Sequence, residues 1–195
     1  MKLCIIKYNA GNVKSVANAL ERLGVHAIVS DEPETIKSAD RVIFPGVGEA
    51  STAMDYLQSN GLDKLIPELT QPFLGICLGL QLMCNHSKEN DTKCLGIFDI
   101  EVTRFEPTMK VPHMGWNVIE DLKGPLMTYL PERPYMYFVH SYFAEVGSDT
   151  IATANYSTKF SAALHKDNFY AVQAHPEKSS DTGSKILENF LKLEI

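Results

Sequence analysis

Residues 72–81 read Pro-Phe-Leu-Gly-Ile-Cys-Leu-Gly-Leu-Gln and restrict the fold more tightly than any other stretch of the chain. An apolar run (Phe73, Leu74, Ile76) suited to a buried strand arrives at Cys77, with Gly75 and Gly79 two residues to either side. Behind the cysteine, Leu78, Leu80, Leu82 and Met83 supply the first turns of a buried helix. A buried strand that turns at once into a helix, with a nucleophile on the turn, is a nucleophile elbow. Such a turn is strained and brings helix and strand very close, which is what the glycines are for. Cys77 then sits at a helix N-terminus, where free N–H groups and the macrodipole favour a thiolate. A buried structural cysteine is the competing reading, and only a partner base decides between them.

A chain of 195 residues with ordinary hydrophobic and charged fractions is expected to form one domain with a sizeable core. Its net charge of −6 and lack of any basic run argue against nucleic acid as a partner. No apolar run reaches membrane-spanning length, and residues 2–7 read as a strand rather than a signal peptide, so a cytoplasmic location is expected. The four cysteines (Cys4, Cys77, Cys84, Cys94) have no C-x-x-C spacing, which weakens a metal reading. Cys77 and Cys84, seven residues apart on or near one helix, lie roughly 10 Å apart at about 1.5 Å per residue, too far for a disulfide.

Along the chain, residues 2–7 read as a buried strand and residues 13–23 as a helix that stops at Gly24. Residues 25–29 form a second strand, 34–39 a short helix and 41–44 a third strand. This alternation predicts a parallel, helix-flanked sheet. The third strand runs into Pro45-Gly46-Val47-Gly48, a glycine loop at the end of a strand where ligands bind in open α/β sheets. It is either an ordinary tight turn or a set of backbone N–H groups aimed at a developing oxyanion. Residues 85–93 are polar and read as a surface loop. From Leu95 the β-prone runs lack helices between them and suggest an antiparallel extension of the sheet, with a hairpin at residues 151–165. Within it, Lys110-Val-Pro-His-Met-Gly-Trp-Asn117 is broken by Pro and Gly and reads as a loop. Its tryptophan either faces a partner or packs into its own core. Asp181 and Thr182 are placed to cap a last helix with Ile186, Leu187, Phe190 and Leu191 on its apolar face.

The base is found at the end of the last strand. His175 and Glu177 stand two residues apart after an apolar run, so in extended backbone they project to one side. The carboxylate can then fix the imidazole tautomer and leave the other ring nitrogen for a thiol. His140 and His113 are rival bases without an acid two residues away.

Gly75-Ile-Cys77-Leu-Gly79-Leu-Gln81 with His175-Pro-Glu177 resembles the class I glutamine amidotransferases, and Pro45-Gly46-Val47-Gly48 matches their oxyanion loop. Three further stretches, Pro112-His-Met-Gly-Trp-Asn117, Tyr137-Phe-Val-His-Ser-Tyr142 and His175-Pro-Glu-Lys-Ser179, are similar to the glutaminase subunits of that family that serve histidine biosynthesis. The likeness spans the whole chain, including Gly11-Asn12; one departure is Leu95-Gly96-Ile97-Phe98-Asp99, where relatives more often carry a small turn after the glycine. The resemblance implies a single α/β domain over residues 1–195, with a mixed, mostly parallel central sheet flanked by helices. It implies Cys77, His175 and Glu177 as a catalytic triad. Gly46, Val47, Gly48 and Leu78 would form the oxyanion hole, and Gln81, Ser141 and Tyr142 would be substrate contacts. Pro112, His113, Met114, Gly115, Trp116, Asn117 and Lys178 would form a face for a (β/α)₈-barrel cyclase subunit that receives ammonia from L-glutamine. No cofactor or metal is implied. Another class I glutaminase subunit, a cysteine peptidase of related fold and a non-catalytic binding module are the alternatives.

Overall fold

The computed structural model describes residues 1–9 and 12–194, so Gly11 lies outside the described residues while Asn12 lies within them. The elements run β1 (Leu3–Ile6), α1 (Val13–Arg22), β2 (Ala27–Ser30), α2 (Pro33–Lys37), β3 (Arg41–Gly46), α3 (Ala50–Ser59) and α4 (Leu62–Leu65). They continue with β4 (Phe73–Cys77), α5 (Leu78–Met83), β5 (His86–Ser87), β6 (Thr92–Lys93), β7 (Glu101–Arg104), β8 (His113–Val118) and β9 (Tyr135–His140). The last are β10 (Tyr142–Ala144), β11 (Thr150–Tyr156), β12 (Thr158–Lys166), β13 (Phe169–Val172) and α6 (Ser180–Leu191). No described helix is long and apolar enough to cross a membrane.

The main sheet has the order β11-β12-β13-β4-β3-β1-β2. Its five strands from β13 to β2 are parallel, and β12 and β11 join antiparallel. β1 and β4 are buried at every position because helices cover both faces, which is why they read as unbroken apolar runs. Alternation along the strands sorts the core in two. Leu3, Ile5, Ile43, Leu74 and Ile76 meet α1 and α6; Cys4, Ile6, Val42, Phe44 and Phe73 meet α2 to α5. On the second face the rings of Tyr8, Phe44, Phe73 and Phe169 form a row with successive centroids 5.4, 6.1 and 5.5 Å apart. Each such pair contributes about 0.5–1.5 kcal/mol beyond its buried area. The row ties together β3, β4 and β13, the strands that lead to the glycine loop, the cysteine and the histidine.

Four expectations need correction. Residues 113–118 are a strand, paired residue for residue with β9 as a separate antiparallel ribbon. Pro112 stands just outside the pairing, where its missing N–H costs no ladder bond. Residues 85–93 are not a plain loop: β5 and β6 pair there and join β7 and β10 in a small four-stranded sheet. The polarity of that stretch reflects its solvent-facing side chains, not a lack of pairing. The antiparallel extension of the main sheet is therefore limited to the β11–β12 hairpin, with Ser157 (φ 56°) at its turn. Ser179, not Asp181 or Thr182, stands at the N-cap of α6, and it makes no side-chain cap bond. Its hydroxyl accepts from Tyr137 N–H (3.0 Å) and donates to the His175 carbonyl (2.6 Å) instead.

Candidate active site

The parallel register puts the chemistry on one rim. Cys77, the last residue of β4, lies opposite Gly46, the last of β3, and Ile76 pairs with Val172 at the end of β13. The glycine loop, the cysteine and the segment carrying His175 therefore emerge side by side. Cys77 has φ 54° and ψ −108°, a conformation sparsely allowed for a residue with a side chain, and α5 starts at the next residue. A Cβ at Gly79 would land on the Phe44 carbonyl oxygen, so only glycine lets α5 lie this close to β3.

His175 and Glu177 meet, but not along an extended segment. Residues Pro176–Lys178 form a 3-10 turn, across which His175 Nδ1 and Glu177 Oε1 lie 2.8 Å apart. Both side chains are almost fully buried, at 1% and 0% exposure. The same carboxylate oxygen accepts from the Asn12 side-chain amide, so Asn12 at the N-cap of α1 serves Glu177 and not its own helix. The His175 N–H donates to the Tyr137 carbonyl at 2.9 Å, which staples the segment to β9. His175 Nε2 is buried and has no hydrogen-bond partner among the described residues. Burial alone would lower the pKa of His175. The Cys77 charge, a contact with that sulfur and the Glu177 carboxylate outweigh burial and raise it to about 10. In the resting geometry the Cys77 thiol points toward the Val139 carbonyl (3.9 Å), and the Gln173 amide donates to its sulfur (3.6 Å).

A cleft of about 390 Å³ opens over the cysteine, within the range that holds small molecules. Val47, Gly48, Cys77, Leu78, Gln81, Ser141 and Tyr142 all line it, while Gly46 sits behind in β3. Gly48 has φ +113°. Gln81 Nε2 donates to the Tyr142 carbonyl (2.8 Å) and to Gln173 Oε1 (3.1 Å). Sequence reasoning missed two residues here and gave a third no role. Glu89 lines the cleft and accepts from the Ala50 N–H at 2.8 Å, its carboxyl pKa raised by burial; nothing distinguished it within a polar run. Gln173 carried a signal, a polar amide at the end of an apolar strand two residues before His175. Asn12 was noticed only through resemblance.

His113 and His140, the rival bases, serve one another. His113 Nδ1 lies 3.0 Å from His140 Nε2, and His140 Nδ1 lies 2.8 Å from the Tyr142 carbonyl. Burial pulls their pKa values down to about 4 and about 3, which keeps both rings neutral. His113 is therefore turned inward, against the expectation that it faces a partner. Met114 and Trp116, on the opposite side of β8, are 61% and 52% exposed, so the tryptophan is not a core residue. Pro112, Gly115 and Asn117 are half-buried and Lys178 is exposed. The remaining cysteines are free and buried; burial pushes Cys4 up to about 11 and Cys94 up to about 12.

The glutamine amidotransferase class-I family matches residues 4–193. An imidazole glycerol phosphate synthase subunit HisH from Bacteroides fragilis is 56% identical, covering 99% of this chain and all of that one. The subunit of the same name from Shewanella sediminis is 47% identical, covering 97% of this chain and 90% of that one. Among solved structures, a glutamine amidotransferase superposes with TM-score 0.76 at 17% identity, covering 97% of each chain. PurLQS from Thermotoga maritima does so with TM-score 0.75 at 14% identity and the same coverage, so the fold persists where the sequence does not. A cysteine on a strained turn, beside a buried imidazole–carboxylate pair, is thus accompanied by sequence likeness along the whole chain, which belongs to the class-I glutamine amidotransferase family and, within it, groups with the HisH subunits.

Proposed function

We infer that this chain is the glutaminase subunit of an imidazole glycerol phosphate synthase, releasing ammonia from glutamine for a separate (β/α)₈-barrel cyclase subunit. The observation that carries the reading is Cys77, strained and cleft-lining, on the strand next to the one that delivers the buried His175–Glu177 pair. The thiol proton passes to His175 Nε2, giving the thiolate–imidazolium pair that the raised His175 pKa favours, and Cys77 then attacks the side-chain amide carbon of glutamine. His175 returns that proton to the departing ammonia, then activates the water that hydrolyses the glutamyl thioester. Glu177, itself held by Asn12, fixes the tautomer and orientation of His175. The Leu78 N–H and a backbone N–H of residues 46–48 receive the oxyanion. Glu89, Ser141 and Tyr142, which line the cleft, would receive the amino-acid end of glutamine, Glu89 as the carboxylate for its ammonium group. Ammonia then enters the cyclase, which forms imidazole glycerol phosphate and an aminoimidazole carboxamide ribonucleotide.

The test is Cys77→Ala in complex with the cyclase. Glutamine-dependent synthesis is expected to vanish, and synthesis from added ammonium salt to persist. Retained glutamine-dependent synthesis, or loss of both activities in a complex that still assembles, overturns the assignment.

A further inference from the structure

We propose that Gln173 is a further catalytic residue, whose amide donates an N–H to the Cys77 sulfur and stabilises the thiolate, turned to do so by the Tyr142 carbonyl acting through Gln81. The proposal rests on the reading of Cys77 as the nucleophile.

The polarity of this chain of amides is fixed from one end. A backbone carbonyl cannot donate, so the Gln81 side chain must present its NH₂ group, not its oxygen, to Tyr142 (2.8 Å). The same nitrogen lies 3.1 Å from the Gln173 side chain, which must therefore offer its oxygen there. That leaves the NH₂ of Gln173 facing the sulfur at 3.6 Å. His140 adds a second donor to the same carbonyl and so reinforces its role as the fixed acceptor. Gln173 is 0% exposed, and a buried amide needs its partners; these two are its side-chain partners among the described residues.

The contact changes in strength through the reaction. While Cys77 is a thiol, Gln173 donates to a weak sulfur acceptor. When the S–H bond breaks and its proton moves to His175 Nε2, the same contact becomes charge-assisted. It weakens again once the sulfur is bonded to the glutamyl carbon. It strengthens a second time when hydrolysis of the thioester expels the thiolate. Gln173 thus favours the state of sulfur that attacks and the state that leaves.

The experiment measures iodoacetamide alkylation at Cys77 against pH in the full chain, read by peptide mass spectrometry so that other cysteines do not contribute. It compares Gln173→Met with the double variant Gln81→Met/Gln173→Met, which leaves no orphaned amide. In both, the pH midpoint of alkylation is expected to rise by about one to two units, the worth of one hydrogen bond to a charged group. The kcat for glutamate formation in the complex with the cyclase is expected to fall about 10- to 100-fold, with KM changed less. Gln81→Met alone, which keeps Gln173 but frees its orientation, shifts the midpoint in the same direction. A midpoint unmoved in the double variant, with the fold intact by circular dichroism, overturns the proposal. If the unsubstituted chain forms no glutamate from glutamine in that complex, the glutaminase reading fails, and the alkylation midpoint still decides the role of Gln173.

Discussion

His175 carries two opposed pressures, burial against charge and the neighbouring Cys77 and Glu177 toward it, and the second pair wins. Its pKa is raised from 6.5 to about 10, so the folded chain holds this proton more tightly than the unfolded one. The stability that follows is fully present below about pH 6.5 and is lost as pH rises through about 10. In Cys77→Ala the charge and the sulfur contact disappear, and burial pulls His175 back down. An NMR titration of its ring protons is expected to show a lower midpoint in that variant. Thermal denaturation between pH 6.5 and 10 is expected to lose stability less steeply than in the unsubstituted chain. Coincident titrations would mean that the thiol and imidazole are not electrostatically coupled. Asn12 acts beside it: its amide donates to Glu177, and its side chain makes no cap bond to its own helix.

Close approach decides what the elements can do. Gly79 lets α5 touch the β3 backbone at Phe44, and Gly183 lets α6 touch the Pro176 carbonyl at the turn that holds Glu177. A methyl group at Gly79 must push helix and strand apart or stay out of the fold. Gly79→Ala is expected to cost about 1–3 kcal/mol or more by urea denaturation, together with glutaminase activity, because α5 carries Leu78 and Gln81. A variant with unchanged stability would show that the elbow has room to spare. The approach at Gly79 was legible as a glycine flanking Cys77, whereas nothing in the sequence marked Gly183; β1, β3 and β4 were legible because burial on both faces leaves almost only apolar residues. The pairing of His175 with Glu177 was legible as proximity along the chain, although a 3-10 turn and not extended backbone achieves it. β8 was hidden because Pro112 and Gly115 look like breakers until β9 pairs with the strand. The His113–His140 contact and the reach of Glu89 into the cleft join residues that only tertiary structure brings together.

Across the whole molecule, the exposed face of β8 and the segment carrying His175 and Glu177 are parts of one assembly. Trp116 pairs with Tyr137, their rings 6.0 Å apart, and the Tyr137 backbone holds both His175 and Ser179. If the cyclase docks on Met114 and Trp116, Trp116→Ala is expected to weaken association by about 2 kcal/mol, as an aromatic hot spot does, without lowering the melting temperature of the isolated chain. Titration calorimetry beside a thermal melt measures both; unchanged affinity with an early melt would assign Trp116 to the fold instead. The sheet holds a second consequence in its order. β13 lies between β12 and β4, yet among the described strands it is the last to be synthesised. A chain that stopped at Asn168 would lack the strand between β12 and β4, leaving two unpaired edges, and with it His175 and Glu177. The strand that joins the two parts of the sheet also brings His175 beside Cys77, so closing the sheet and assembling the site are one event.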